Sequence, residues 1–183
     1  MGGVRGQTEW KPCRYAAIVN LTGPDRYNLT FNSERDNRCA VRCAKGTLRF
    51  SGLASQRIPK LYVVSRDNWP IHFGVTVQTM RTRLRFGFTA IGRGEYHGYA
   101  WRKPFKDAVL DVWCPIPPAG TLTKKDVETI EAEIVFLVRQ SGQWPMHQTE
   151  IHFHKSNADH RRIAAEIIRH YEPPQHQLDG HIP

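Results

Sequence analysis

One carboxylate in this chain breaks the pattern around it. Between residues 124 and 140, Val127, Ile130, Ile134, Leu137 and Val138 recur at helical spacing and form the stripe that a packed helix turns to its core. At about 100° per residue Glu131 falls inside that stripe, while Glu133 falls outside it. A carboxylate on the buried side of a helix costs several kcal/mol unless it is paired, protonated or bound to a cation. Two readings follow. One is an ion pair with an arginine. The other is a hard-metal ligand, because carboxylate oxygen suits Mg²⁺, an ion that keeps most of its waters. A separate segment, Val77 to Phe86, carries Arg81, Arg83 and Arg85, so guanidinium and carboxylate can face one site. A metal and an arginine to hold and neutralise a phosphate, with a base to activate water, are the minimum kit for phosphodiester hydrolysis.

Other groupings compete. Glu150, His152 and His154 alternate with Ile151 and Phe153, so a strand there would put the three polar residues on one face, with His160 near enough to join. The bland reading is the polar face of a half-buried strand; the sharper one is a zinc hydrolase. Cys39-x₃-Cys43 with Cys13 is a weaker zinc candidate, since no fourth ligand is evident. Tyr96, Tyr99 and Trp101 interleave with Arg93, Arg102 and Lys103, a composition suited to base stacking with phosphate contact, or to an aromatic cluster beneath a loop.

The charge supports a polyanion partner. The 183 residues carry 26 Lys and Arg against 17 Asp and Glu, a formal net charge of +9. Residues 1–106 hold a net +13 and residues 107–183 a net −4, so the positive charge is concentrated on one part of the chain. Eighteen of the basic residues are arginine, the side chain best shaped for bidentate phosphate contact. Nucleic acid is the simplest such partner, and charge alone does not choose between DNA and RNA. The segment from Arg35 to Arg57, with five arginines and one lysine, reads as a nucleic-acid-contacting elaboration. A hydrophobic fraction of 40% argues against a disordered chain, and no apolar run approaches the 18 or so residues of a membrane span. Met1 to Gly6 lacks the apolar run of a secretory signal, and four cysteines are too few for a disulfide scaffold, so a cytoplasmic protein is expected.

The elements that must position these residues are legible in outline. Leu61–Val64 and Ile71–Val75 are short apolar runs separated by the turn-forming Asp67 to Pro70, a hairpin pattern. Thr76 can cap a helix over Val77–Phe86, Val109–Trp113 predicts a strand, and Thr123 with Asp126 predicts a capping box opening the helix Lys124–Gln140. Thr47–Phe50 and Glu150–His154 alternate like strands, Gly23–Asp25 predicts a turn among Asn-rich loops, and Ser156-Asn157 caps a last helix with Ile163, Ile167 and Tyr171 on one side. The expected fold is α+β: a short mixed or antiparallel central sheet flanked by helices. Residues 1–58 are expected to be a basic N-terminal elaboration, 59–171 the core with its C-terminal helix, and 172–183 a tail that frays.

Hairpin, arginine-bearing helix, strand and glutamate-bearing helix, in that order, resemble the GIY-YIG nuclease superfamily over roughly residues 60 to 150. Lys60-Leu61-Tyr62 sits where the first tripeptide ends in tyrosine, and His72-Phe73-Gly74 where the second would read Tyr-Ile-Gly. Gly74-Val75-Thr76 followed by Arg83-Leu84 resembles the family's Gly-x-Thr and Arg-Leu signature. Ile130-Glu131-Ala132-Glu133-Ile134 resembles the segment around its metal-binding glutamate, which selects the residue already singled out by the helical stripe. The resemblance implies a metal-dependent endonuclease that hydrolyses DNA phosphodiesters with one Mg²⁺ or Mn²⁺ on Glu131 and Arg83 stabilising the phosphate. Tyr62 comes first as base, then His72, with His97 a further candidate. Nucleic-acid contacts are expected from Arg49, Arg57, Arg81, Arg85, Tyr99 and Arg102. Cutting both strands with one site requires a homodimer or two sequential nicks. The family's Pro-x-Trp/Tyr-Asn run is absent, and Gln148 or Glu150 stands where its polar residue would be. A basic binding module without catalysis on the same scaffold is the alternative.

Overall fold

The computed structural model describes residues 21–31, 39–43, 46–90, 99–115, 123–143, 145, 147–148 and 151–171. Five strands, β1 (Leu21–Phe31), β2 (Cys39–Cys43), β3 (Lys60–Arg66), β4 (Trp69–Thr76) and β5 (Asp107–Pro115), form one sheet in the order β2-β1-β5-β3-β4. Every pairing is antiparallel. Helices α1 (Met80–Thr89), α2 (Lys124–Gln140) and α3 (Ala158–Ile168) complete the described elements, with 3-10 turns at Gly52–Ser55 and Ala100–Arg102. The architecture is therefore α+β, as expected. No described helix is long and apolar enough to cross a membrane.

The sheet carries a core on each face. Tyr62, Val64, Leu110 and Val112 pack with Met80, Leu84 and Phe88 of α1 and with Tyr99 and Trp101 of the second 3-10 turn. On the opposite face Leu61, Val63, Phe73 and Trp113 pack with Val127, Ile130, Ile134 and Val138 of α2 and with Ile163 and Ile167 of α3. Lying between two neighbours and under helices on both sides, β3 buries Lys60 through Ser65 without a break, which is why its sequence is a continuous apolar run and not an alternation. Lys60 fits there because its ammonium donates to the carbonyls of Gln56, Ile58 and Gln78, which uses all three of its hydrogens.

The hairpin turns at Asp67 and Asn68, with φ of 50° and 62°, the left-handed pair that a two-residue hairpin loop demands. A register shift after Val64 leaves Ile71 without an opposite number on β3, and His72 then pairs with Val64. Each helix starts on a capped threonine or asparagine: Thr79 accepts from Thr82 N, while Thr123 with Asp126 and Asn157 with His160 close capping boxes.

Several expectations are corrected. Thr79, not Thr76, caps α1, because Thr76 still pairs with Lys60 as the last residue of β4. Gly23–Asp25 is no loop: β1 runs through it with a cis Gly23-Pro24 bond and a register shift, since Tyr27 and Leu29 alternate into the core. Thr47–Phe50 forms no strand, and Cys39–Cys43 does. Ile151 to Asn157 has no regular secondary structure and pairs with no strand of the sheet. Strands β1 and β2, drawn from the expected N-terminal elaboration, extend the same sheet as the hairpin. The tail at 172–183 lies outside the described residues.

Candidate active site

Four of the residues singled out by sequence come from four different elements and line one cleft of about 300 Å³: Tyr62 of β3, His72 of β4, Arg83 of α1 and Glu131 of α2. Gln148, His147, Trp101, Lys124, Glu128 and His152 line it as well.

Tyr62 points across β4 because its opposite number there is Gly74. A Cβ at Gly74 would stand 2.3 Å from both Cζ and Oη of Tyr62, so only glycine admits the ring. Gly87 of α1 does the same for Tyr99, whose ring atoms would lie 2.2 Å from an added Cβ. The two phenols so admitted share a 2.9 Å hydrogen bond, and Arg83 Nε donates to Tyr62 Oη at 3.3 Å. The Arg83 guanidinium also lies 5.6 Å from the centroid of the Tyr99 ring. Burial pushes the Tyr62 hydroxyl above its ordinary pKa, and the Arg83 charge and the bonds from Tyr99 and Arg83 only partly offset it.

His72 Nδ1 stands 3.2 Å from the backbone carbonyl of His147. A carbonyl only accepts, so Nδ1 carries the hydrogen and Nε2 the lone pair. Burial lowers the His72 pKa to about 4 despite that bond. At neutral pH His72, the second base candidate, is therefore an uncharged acceptor. Residues 147–148 run along the open edge of β4, where His147 N donates to Ile71 O at 3.1 Å and Phe73 N donates to Gln148 Oε1 at 2.9 Å. With its oxygen fixed, the Gln148 amide turns Nε2 toward Glu131 Oε1, at 3.4 Å. Of the two residues left open at that position, Gln148 takes the contact; Glu150 lies outside the described residues.

Glu131 is 6% exposed, on the buried side of α2 where the stripe placed it. One turn earlier Glu128 is 7% exposed and faces the same cleft. Burial works to raise its pKa, but Lys124 on one oxygen and His154 Nε2 at 2.9 Å from the other bring it below the ordinary value. His152 stands 3.9 Å from Glu128, so His152 and His154 do share a face, and a carboxylate of α2 occupies it.

No family model, curated protein or solved structure matches this chain.

The remaining candidates fall elsewhere. His160 caps α3 and reaches Asp126 at 3.2 Å, so it does not join His152 and His154. Among the described residues no three His, Cys, Asp or Glu side chains gather as a metal-ligand set. Cys13 lies outside the described residues, Cys43 Sγ stands 2.9 Å from Thr47 Oγ1, and burial pushes Cys39 up to about 11. Tyr99 is 3% exposed and Trp101 1%, so the aromatic pair expected to stack on bases is instead the floor of the cleft. Arg49, Arg57, Arg81 and Arg85 are exposed and lie outside the cleft lining, and Arg102 packs its guanidinium 5.8 Å from the Phe88 ring centroid. His97 lies outside the described residues. Sequence reasoning missed Glu128 and Lys124, although both sit at helical spacing from Glu131, at i−3 and i−7. It also missed Trp101 as a polar group and His147, for which the sequence holds no signal.

The cleft holds two carboxylates from one helix. Of the two α2 carboxylates that line it, Glu128 is engaged by Lys124 and His154, and Glu131 accepts from Gln148 Nε2.

Proposed function

We propose that this chain is a metal-dependent endonuclease of the GIY-YIG kind that hydrolyses DNA phosphodiester bonds. The observation that carries the reading is the convergence of Tyr62, His72, Arg83 and Glu131 on one cleft from four elements. Glu131, oriented by Gln148, would hold Mg²⁺ or Mn²⁺, which supplies charge neutralisation at the phosphate and a more acidic bound water. Arg83, held by Tyr62 and the Tyr99 face, would bring its guanidinium charge to the phosphate. Tyr62 orients the arginine, and its raised pKa keeps it a hydrogen-bonding phenol at neutral pH unless a cation in the cleft draws the proton off. The exposed Arg49, Arg57, Arg81 and Arg85 would meet flanking phosphates.

One observation favours the alternative of a binding module without catalysis: burial weakens both candidate bases, holding Tyr62 protonated and His72 at a pKa of about 4. A gel assay separates the two. Plasmid, linear duplex and single-stranded DNA are incubated with Mg²⁺ or EDTA, using wild type and Glu131→Ala. Mg²⁺-dependent cleavage, lost in the variant while DNA binding persists, supports the nuclease. Tight, salt-sensitive binding without cleavage supports the module.

A further inference from the structure

Buried polar atoms in folded proteins almost always have a partner, and an unpaired one costs about 1–3 kcal/mol. Among the described residues three such atoms belong to residues that line the same cleft: Trp101 Nε1, His72 Nε2 and His147 Nε2. Their chemistries differ. Indole nitrogen only donates. His72 Nε2 only accepts, because Nδ1 carries the hydrogen toward the His147 carbonyl. Both residues line the cleft, and their rings pack with centroids 6.3 Å apart and planes 32° apart.

A group that satisfies both must accept from Trp101 and donate to His72. A phosphate oxygen only accepts, and an ammonium or metal ion cannot accept, so either leaves one partner unpaired. A hydroxyl group does both. With Trp101 1% exposed, the space beside it admits only a very small one. Water fits, and a third unpartnered nitrogen, His147 Nε2, belongs to the same cleft lining.

We propose that one ordered water is held between Trp101 Nε1 and His72 Nε2, and that Trp101 is the positioning residue for the water consumed in hydrolysis. The second half rests on the nuclease reading above. In that reaction the water oxygen forms the new bond to phosphorus as the bond to the leaving oxygen breaks. The hydrogen bond to His72 Nε2 orients the water, one water proton passes to solvent, and the leaving oxygen takes a proton from solvent.

Two measurements test it. In ¹⁵N-labelled protein a rotating-frame Overhauser experiment reads contact between the Trp101 indole hydrogen and water, with the sign separating contact from exchange; Trp101→Phe assigns the resonance. A water contact is expected in wild type and its loss in His72→Leu, with the indole resonance still dispersed. In the cleavage assay Trp101→Phe, which keeps an aromatic ring and removes only the N–H edge, is expected to lower kcat about tenfold or more with KM nearly unchanged. A merely structural tryptophan would lower Tm without that split. An indole hydrogen with no water contact overturns the water site. A Trp101→Phe enzyme with wild-type kcat overturns its catalytic use. If wild type cleaves no DNA, the nuclease reading and the catalytic half fall together, and the indole measurement still decides the water.

Discussion

Replacing Gly74 by alanine strikes the point where fold and cleft meet. The added methyl would stand 2.3 Å from Cζ and Oη of Tyr62 and 2.8 Å from Cε1, well inside van der Waals contact. The tyrosine has nowhere to retreat: it is 0% exposed, bonded to Tyr99 and Arg83, and backed by the core of the α1 face. Forcing a methylene-sized group into such packing costs about 1–3 kcal/mol. For a chain of this size each kcal/mol moves Tm by about 2–4 °C, so a fall of about 2–12 °C is expected by calorimetry or thermal melting. A double-mutant cycle isolates the cause. Tyr62→Ala alone should cost about 3–5 kcal/mol by opening a cavity. In the Gly74→Ala background the new methyl no longer meets a ring, so the two changes together should cost at least about 1 kcal/mol less than their sum. A Gly74→Ala protein as stable as wild type, or strictly additive costs, would refute the claim that Gly74 exists to admit Tyr62.

Two further outcomes follow from buried charges. The unfolded His72 takes up its proton near pH 6.5 and the folded one only near 4, so the unfolded state binds more protons between those values and stability falls as pH drops through that window, by up to about 3 kcal/mol. Melts at pH 7 and pH 5 should show His72→Gln losing less stability on acidification than wild type; equal losses contradict the assignment. Asp111, 0% exposed in β5, is held by Arg26 across the strand pair at 2.7 and 2.8 Å and by the Tyr171 hydroxyl at 2.8 Å. Arg26→Met leaves that carboxylate with Tyr171 alone and should cost about 3 kcal/mol, recovered in part by Asp111→Asn in the same chain.

The helices that line the cleft were legible in the sequence because their signals are local. The Thr123/Asp126 box, the apolar stripe and the intruding Glu131 all lie within one helix, and the continuous apolar run at Leu61–Val64 marks a strand covered on both faces. What stayed hidden depends on distant partners. The Gly23-Pro24 pair reads as a turn and becomes strand only because Tyr27 and Leu29 find the core beside β5. His152 and His154 alternate as a strand would, yet the edge of β4 is already taken up by residues 147–148, and Glu128 collects the two imidazoles instead. The pKa of His72 and the burial of Tyr99 and Trp101 arise from tertiary packing, which no residue spacing encodes.

The central claim is that the carboxylate inside the stripe of α2 carries the metal chemistry, and its neighbour two residues on provides the control. Cleavage of duplex DNA with Mn²⁺ should be compared for Glu131→Gln and Glu133→Gln, with binding measured on the same substrate. The account predicts that Glu131→Gln abolishes cleavage with DNA binding retained, while Glu133→Gln cleaves as wild type does. Cleavage that survives Glu131→Gln, or is lost only with Glu133→Gln, would contradict it.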